Sequence, residues 1–578
     1  MFNKYYENEL HKLREAATEF AREHPVTAPL LMGPSMDPGA ERMLEGVAFL
    51  SGLLNQKLDN EFQKFIKETI ELIYPQFVRP IPATSIVLFE PKAGQTEPVT
   101  VKAKTTLAAN KVDGTSCQFQ TSFDLEVHPL KIISAKLERV TEEVSHLDVY
   151  FELQGTTLES WNIQQGLYLF LGGTYTRAAN IYMLLYNNLK KIIIKSEDGR
   201  QFILKPEQLE AIGMDIDNQL LDYPVQSFSA FRLLQEYFIL PYKFFFMKLT
   251  GFDKWLDRGK SDKFSITFEL HDIPENDLQV NKDTFILNAV PVINLFSYEM
   301  DPITLNHQIE KTLLRPNPHY PTHYQVYEVQ SVVAYTEGVN DKKEYLPINS
   351  FVGHKSSNSP VYQLLRERSI INNHPEVYLF FPYQEDATKI NEETLVVTVK
   401  STNGRLPEKL RIGDICVPTF NSPESLNFRN ILQPTYSIEP PTDSMNFWRF
   451  ISYLSLNFLS LTQLDNLKAM LKLFLSSEDQ DKPRLTANQK RITGISSIKA
   501  APIDRVHKGR IVRGHKIEME VYADQFAGLG DVYLFGSVLN SFFTIYASIN
   551  TFIQFNLKEL NSGVSFKWPV KIGNRTLI

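Results

Sequence analysis

The hydrophobic period of this chain changes near residue 83, and that change limits its fold more than any other feature. Up to residue 73 apolar residues recur every three to four positions. Tyr6, Leu10, Leu13, Ala17 and Phe20 form one stripe, with Glu7, Lys12, Arg14, Glu15 and Glu19 largely off it. Pro25 ends that helix. A second begins at Asp37, which offers a capping carboxylate ahead of Pro38, with Glu41 in the first turn. Leu44, Val47, Ala48, Leu54 and Leu58 carry its stripe, and Phe62, Phe65, Ile66, Ile70 and Ile73 read as a third helix. Three such narrow stripes make a thin core, so packing against other chains would complete their burial.

From Ser85 the period becomes two. Leu147, Val149, Phe151 and Leu153 alternate with Asp148, Tyr150 and Glu152. Phe264, Ile266, Phe268 and Leu270 alternate with Ser265, Thr267 and Glu269. Both runs predict half-buried antiparallel strands. Ala93-Gly94, Asp113-Gly114 and Asp198-Gly199 supply turns between such runs. The Pro-rich stretch Arg315–His323 reads as a connector, and further strands are expected at Glu376–Phe381 and Thr394–Lys400. After Pro440-Pro441, helices carry Phe447 to Leu461 and Leu464 to Phe474, and a last one starts near Val532. The fold class is therefore α+β and multi-domain: an N-terminal helical segment, a β-rich, largely antiparallel middle and a mixed α/β C-terminal domain. The expected boundaries are 1–82, 83–300, 301–440 and 441–578, in line with a prior of about 150 residues per domain.

Composition excludes several classes. Hydrophobic residues make up 43% and charged residues 22%, which rules out a disordered chain. The two cysteines, Cys117 and Cys416, form neither a disulfide framework nor a zinc knuckle and fit a reducing compartment. The N-terminus is charged from its start, unlike a signal peptide, and no window reaches the ~18 apolar residues of a membrane span. A cytoplasmic protein is expected.

Reaction chemistry is sparse. Arg258-Gly259-Lys260-Ser261 has a phosphate-loop ending, but Lys254 stands where that loop needs its other glycine. His319 and His323 have the i, i+4 spacing of helical metal ligands, but Pro318 and Pro321 prevent a regular helix. Gly-x-Ser-x-Gly and Gly-x-Gly-x-x-Gly patterns are absent. No catalytic, cofactor or metal residue is assigned. One charge asymmetry remains. Lys482–Lys516 holds ten Lys/Arg against Asp504 alone, a local +9 that leaves −16 on the rest of a chain totalling −7. Pairing within the chain, an acidic protein partner and nucleic acid are the three readings of this segment. The lack of interleaved aromatics weighs against the last.

A set of ordered motifs resembles one family along the whole chain. The most specific is Asp37-Pro-Gly-Ala-Glu-Arg-Met-Leu-Glu-Gly-Val-Ala-Phe-Leu50, with the exit Tyr74-Pro75 to Arg79-Pro80-Ile-Pro82. Glu236-Tyr-Phe-Ile-Leu-Pro241, Thr402-Asn-Gly-Arg-Leu-Pro407 and Phe447-Trp-Arg-Phe-Ile-Ser-Tyr-Leu-Ser-Leu-Asn457 follow in order. Val512-Arg-Gly514, Phe526-Ala-Gly-Leu-Gly-Asp-Val-Tyr-Leu-Phe-Gly536, Leu539–Tyr546 and Trp568-Pro569 complete the series. Leu529 and Asp531 replace smaller residues of the pattern, and Val570 a second proline. The pattern resembles the baseplate wedge subunit TssF (ImpG, VasA) of bacterial type VI secretion systems. That resemblance implies a non-enzymatic structural part of a contractile, phage-tail-like injection machine, without cofactors. The baseplate lies at the cytoplasmic side of the inner membrane, with only indirect links to the membrane complex. The implied partners are TssG (two TssF per TssG), TssK, TssE, the VgrG hub and a second TssF copy, with no nucleic acid. A phage or phage-derived tail baseplate protein is the alternative, and a hidden hydrolase or nucleotide-dependent enzyme a more distant one. The residues expected to meet partners are Tyr6, Leu10, Leu13, Phe20, Leu44 and Val47 on the helices, and Arg505, Lys508, Arg510 and Arg513 in the basic segment. Joints near residues 80 and 300 are expected to act as hinges.

Overall fold

Helical periodicity gives way to strands where the sequence predicts. A computed structural model describes residues 2–573 apart from 25–36, 216, 225–226, 272–277, 306–310, 337–341, 349–359, 370–373, 383–392, 442–443, 455, 457, 477–478, 508–509 and 550. The chain forms two compact units, Met1–Val78 with Thr442–Ser452, and Arg79–Pro441 with Tyr453–Ile578.

The first unit is built on α1 (Phe2–Glu23) and α2 (Pro38–Ile73). Asp37 caps α2 by accepting the Gly39 N–H at 3.1 Å, as its sequence signature requires. The separate third helix expected from Phe62 onward does not exist. Residues 38–73 form one helix of 36 residues, because neither proline nor glycine lies between Leu54 and Ile73 to interrupt it. The two helices run antiparallel. Tyr5 donates to Asp59 (2.9 Å), Ser51 to Glu9 (3.0 Å) and Arg14 to Glu41 (3.2 Å). They approach closely at Gly52, where a Cβ would sit 3.1 Å from the Tyr6 nitrogen. α2 stops at Tyr74-Pro75, and a short 3-10 turn, Pro75–Phe77, brings Phe77 onto Phe450 (ring centroids 4.2 Å) and Phe447 (6.0 Å).

The second unit begins with a six-stranded antiparallel sheet in the order Ile415–Val417, Thr106–Val112, Thr115–Thr121, Ala289–Ile293, Thr84–Pro91, Leu426–Asn430. Its two ends meet. Gly413 and Ile415 donate their N–H groups to the Asn430 side chain at 2.9 and 3.0 Å, which brings the sheet close to a barrel. Beside it lies a five-stranded sheet holding both runs read from the sequence. Val144–Leu153 and Lys263–His271 pair antiparallel with Val149 opposite Ile266. A four-stranded sheet is centred on Leu167–Leu171, all five residues buried. It is followed by α3 (Tyr175–Asn187), and α4 (Ser229–Ile239) comes later in the chain.

Residues 296–402 form a separate eight-stranded sheet around Val332, Leu379, Leu395, Val397 and Val399. The remainder is mixed. α5 (Ser444–Leu454), α6 (Phe458–Leu461), α7 (Leu464–Leu473) and α8 (Lys482–Thr493) lead into the hairpin Ile495–His507 and Arg510–Val521. α9 (Leu529–Tyr546) then crosses to Phe552–Glu559, which runs parallel to the second hairpin strand. α9 is apolar nearly all round and correspondingly buried. Gly530 lets it touch α3: a Cβ there would lie 2.4 Å from the Ala179 carbonyl carbon. Among the described residues no helix is long and apolar enough to cross a membrane.

Candidate interaction surfaces

α2 sorts its apolar residues onto two faces. Leu44 is half-buried and Ala48 and Gly52 are buried, on the α1 side. The other face carries Met43, Val47, Leu50, Leu54, Leu58, Phe62 and Phe65 at three- and four-residue spacing, all exposed. Leu54, Leu58 and Phe65 are 63%, 65% and 64% accessible. The stripe runs for roughly 33 Å at 1.5 Å per residue. Apolar residues so spaced form one continuous exposed surface along the helix. The expected residues divide accordingly. Tyr6, Leu10, Leu13 and Leu44 are half-buried within the unit, whereas Phe20 and Val47 are exposed. Sequence reading missed Met43 and Leu50 and assigned Phe62 and Phe65 to another helix. Their spacing from Val47, once the helix is continuous, is the signal that finds them.

The basic segment splits in two. Arg484 pairs with Asp479 (2.9 Å) and Arg491 with Asp531 (2.9 Å), so these cations are spent inside the chain. Arg505 and Arg513 are exposed on the hairpin. Arg505 donates to the neutral Gln554 at 3.2 Å, and Arg513 meets Asp504 at 3.3 Å. Lys508 lies outside the described residues; Arg510 starts the second hairpin strand.

The motifs that resemble chemistry are occupied by the protein itself. Gly259 adopts φ +81°, and the neighbouring amides of Lys260 and Ser261 both donate to Asp198 Oδ2, at 3.1 and 3.3 Å. A carboxylate of the chain thus sits where a phosphate loop would hold its anion. Arg258 is used on the Trp161, Trp255 and Phe252 carbonyls. His323 is fixed by Thr115 Oγ1 at 2.8 Å and stacks on Tyr320. Among the described residues no group of three or more His, Cys, Asp or Glu is placed to hold a metal. Burial pushes the Cys117 thiol up to about 12, which leaves it without thiolate character. A cavity of about 360 Å3 opens between the Pro-rich segment and residues 374–377. At its rim Arg405 and Arg368 both reach Glu439, at 3.1 and 3.6 Å.

Residues 1–575 match the family described as "Type VI secretion system, TssF". The chain belongs to the TssF family. It is 25% identical to the type VI secretion system component TssF1 of Pseudomonas aeruginosa, over 99% of this chain and 98% of that protein. It superposes with a TM-score of 0.78 and 26% identity on a chain of the cryo-electron microscopy structure of a type VI secretion TssK-TssF-TssG baseplate subcomplex, covering 93% of this chain and 99% of that one. The fold recurs in a chain of a type VI secretion baseplate complex, with a TM-score of 0.59 and 24% identity over the whole of both chains.

Several residues within the later motif segments are buried and clamp the second unit internally. Glu236 is fully buried, accepts the Leu220 N–H at 2.8 Å and ion-pairs with buried Lys243. Burial pushes the Lys243 ammonium down and Glu236 pushes it back up. Asp531, a departure from the pattern, is the hub of a buried network. It accepts from Arg491, from Tyr175 (2.7 Å) and from the Ala527 N–H (3.1 Å), while the Arg491 guanidinium lies 5.3 Å from the Tyr175 ring centroid. Asn403 pairs reciprocally with Asn294. Asn403 N–H donates to Asn294 Oδ1 (2.7 Å), and Asn294 Nδ2 donates to Asn403 Oδ1 (2.9 Å) and to the Gln118 carbonyl (2.7 Å). Both asparagines are fully buried, at the entrance and the exit of the 296–402 sheet. These bonds lie at the joint near 300 that is expected to be a hinge. A Lys400–Asp222 pair at 3.1 Å adds to them.

Proposed function

We infer that this TssF-family chain is a non-catalytic subunit of the type VI secretion baseplate, acting in the cytoplasm through its interfaces. Its partners are TssG and TssK, and beyond them TssE and the VgrG hub, with two copies of the chain to each TssG. The exposed apolar stripe of α2 carries this reading. A face that α1 leaves uncovered is suited to helices of a neighbouring subunit, laid along it as in a bundle. Phe20 extends the contact from α1, with Leu10 and Leu13 supporting it from the α1–α2 packing. The basic residues Arg505, Lys508, Arg510 and Arg513 are a second, electrostatic contact. Hinges near residues 80 and 300 let the copies adopt different surroundings, the first of them where the first compact unit ends.

Co-expression with TssG and TssK, followed by native mass measurement, tests the reading. The wild-type chain is expected in a complex holding two copies per TssG. Leu54→Glu with Leu58→Glu is expected to lose TssG while circular dichroism of the free chain stays unchanged. Retention of TssG by that double variant would overturn the assignment of the interface. A wild-type chain that never binds TssG would overturn the function. For the hinges, two copies in one wedge that superpose as a single rigid body across residues 80 and 300 would refute them.

A further inference from the structure

Two of the places where the chain passes between its compact units are Val78–Arg79 and Pro441–Thr442. On the second-unit side of these crossings the two segments lie antiparallel and bonded to each other. Ile81 N–H donates to the Ile438 carbonyl at 2.8 Å, and Ile438 N–H donates back to the Ile81 carbonyl at 2.9 Å. Thr435 N–H donates to the Thr84 carbonyl at 2.8 Å, and Thr84 N–H to Thr435 Oγ1 at 3.0 Å. Pro80, Pro82, Pro440 and Pro441 lack the N–H groups needed to lengthen this pairing. A two-stranded contact this short has little stability of its own.

The eight-stranded sheet grips both segments. Arg79 reaches Glu328 of that sheet at 3.3 Å, with its guanidinium 5.4 Å from the Tyr327 ring centroid. Glu439 ion-pairs with Arg368 of the same sheet at 3.6 Å. The grips have opposite polarity, a cation on one segment and an anion on the other. The Arg79 side chain is only 11% exposed, so loss of Glu328 leaves a nearly buried charge unpaired. Lys400, close to the exit of the sheet, joins Glu328 (3.3 Å) to Asp222 outside it. The contact is otherwise gapped. The cavity of about 360 Å3 has Ser437 and Glu439 in one wall and Leu313, Leu314, Pro375 and Val377 of the sheet side in another. Polar, gapped contacts part and re-form more readily than a packed core.

We propose that the eight-stranded sheet is a clamp on the paired segments, so that the joints near residues 80 and 300 open together. The inference rests on the reading of both joints as hinges and deepens it by giving them one control. Swinging the sheet away releases both segments, and parting the segments loosens the sheet, because such coupling is reciprocal. Hydrogen exchange of the full chain, read by mass spectrometry, tests it. The Ile81 and Ile438 amides report the paired segments, and the Asn403 amide, bonded to Asn294 Oδ1, reports the joint near 300. Glu328→Ala with Arg368→Ala cuts both grips from the side of the sheet. Exchange at Ile81 and Ile438 should rise about fivefold or more, with Asn403 rising in step and the core Val397 amide unchanged. Lys311→Gln with Glu367→Gln breaks an ion pair (2.6 Å) between neighbouring parts of the sheet and should leave all these amides as they were. Unchanged exchange at Ile81 and Ile438 in the first variant, or an equal rise in the second, overturns the clamp. A rise there with Asn403 unmoved also overturns it, since the joints then open independently, but leaves the hinges standing. If all three amides are as protected as Val397 in every variant, the hinge reading falls as well.

Discussion

The two compact units spend their side chains in opposite ways. The first leaves Leu54, Leu58 and Phe65 of one helix largely in water, whereas the second hides Glu236, Lys243, Arg491 and Asp531 and pairs each of them. Exposed apolar surface loses nothing in the isolated chain, because water already covers it in the unfolded state. A buried ion that loses its partner has nowhere to go. The contrast teaches that one unit keeps a continuous apolar face open to solvent and the other is closed on itself.

The largest effect is expected from breaking the second unit. Asp531→Ala leaves Arg491 charged and buried, and should cost about 3–5 kcal/mol in urea unfolding. A loss below about 1 kcal/mol would show that the network is dispensable. Asn403→Ala removes a buried partner from Asn294 and from the Gln118 amide. It should cost about 2–3 kcal/mol and raise amide exchange at residue 118, whose N–H donates to Asn403 Oδ1 at 3.1 Å.

His128 gives a pH test. Burial lowers its pKa to about 4, so the fold holds the neutral ring while the unfolded chain protonates near 6.5. Its contribution is complete above pH 6.5 and falls away as pH drops toward 4, by about 3 kcal/mol in all. His128→Asn should flatten the fall of the urea midpoint between pH 7 and 4.5; an equally steep fall would remove His128 from the account. The smallest effect belongs to the first unit. Leu54→Glu should change the stability of the free chain by no more than about 0.5 kcal/mol. If it destabilised the chain as much as Asp531→Ala, the contrast between the units would collapse.

Much of this was legible from local pattern. The Asp37 cap, the period-two runs at Val144–Leu153 and Lys263–His271, and the turn at Asp113-Gly114 all lie where the sequence places them. What escaped is non-local. Asn294 and Asn403 are 109 positions apart, and Asp198 fills the Gly259 loop from 62 positions away. No periodicity reports such pairs. The basic run read as one block, yet Arg491 faces Asp531 in the interior while Arg513 stands in solvent, because the helix and the hairpin that carry them point to different environments. The separate helix expected from Phe62 onward is instead the continuation of the one that starts at Pro38, which runs through Asp59-Asn60 although both are poor helix formers.

The Asn294–Asn403 pair has a consequence for how the chain could have been assembled. Where a segment leaves and re-enters a scaffold a hydrogen bond apart, the scaffold needs only a short splice to close without it. Residues 296–401 are in that position: Phe296 pairs with Ser401, the first residue of the sheet beside nearly the last. The eight-stranded sheet has the geometry of a cassette, entered and left at one point of the scaffold, so that the scaffold's connectivity does not pass through it.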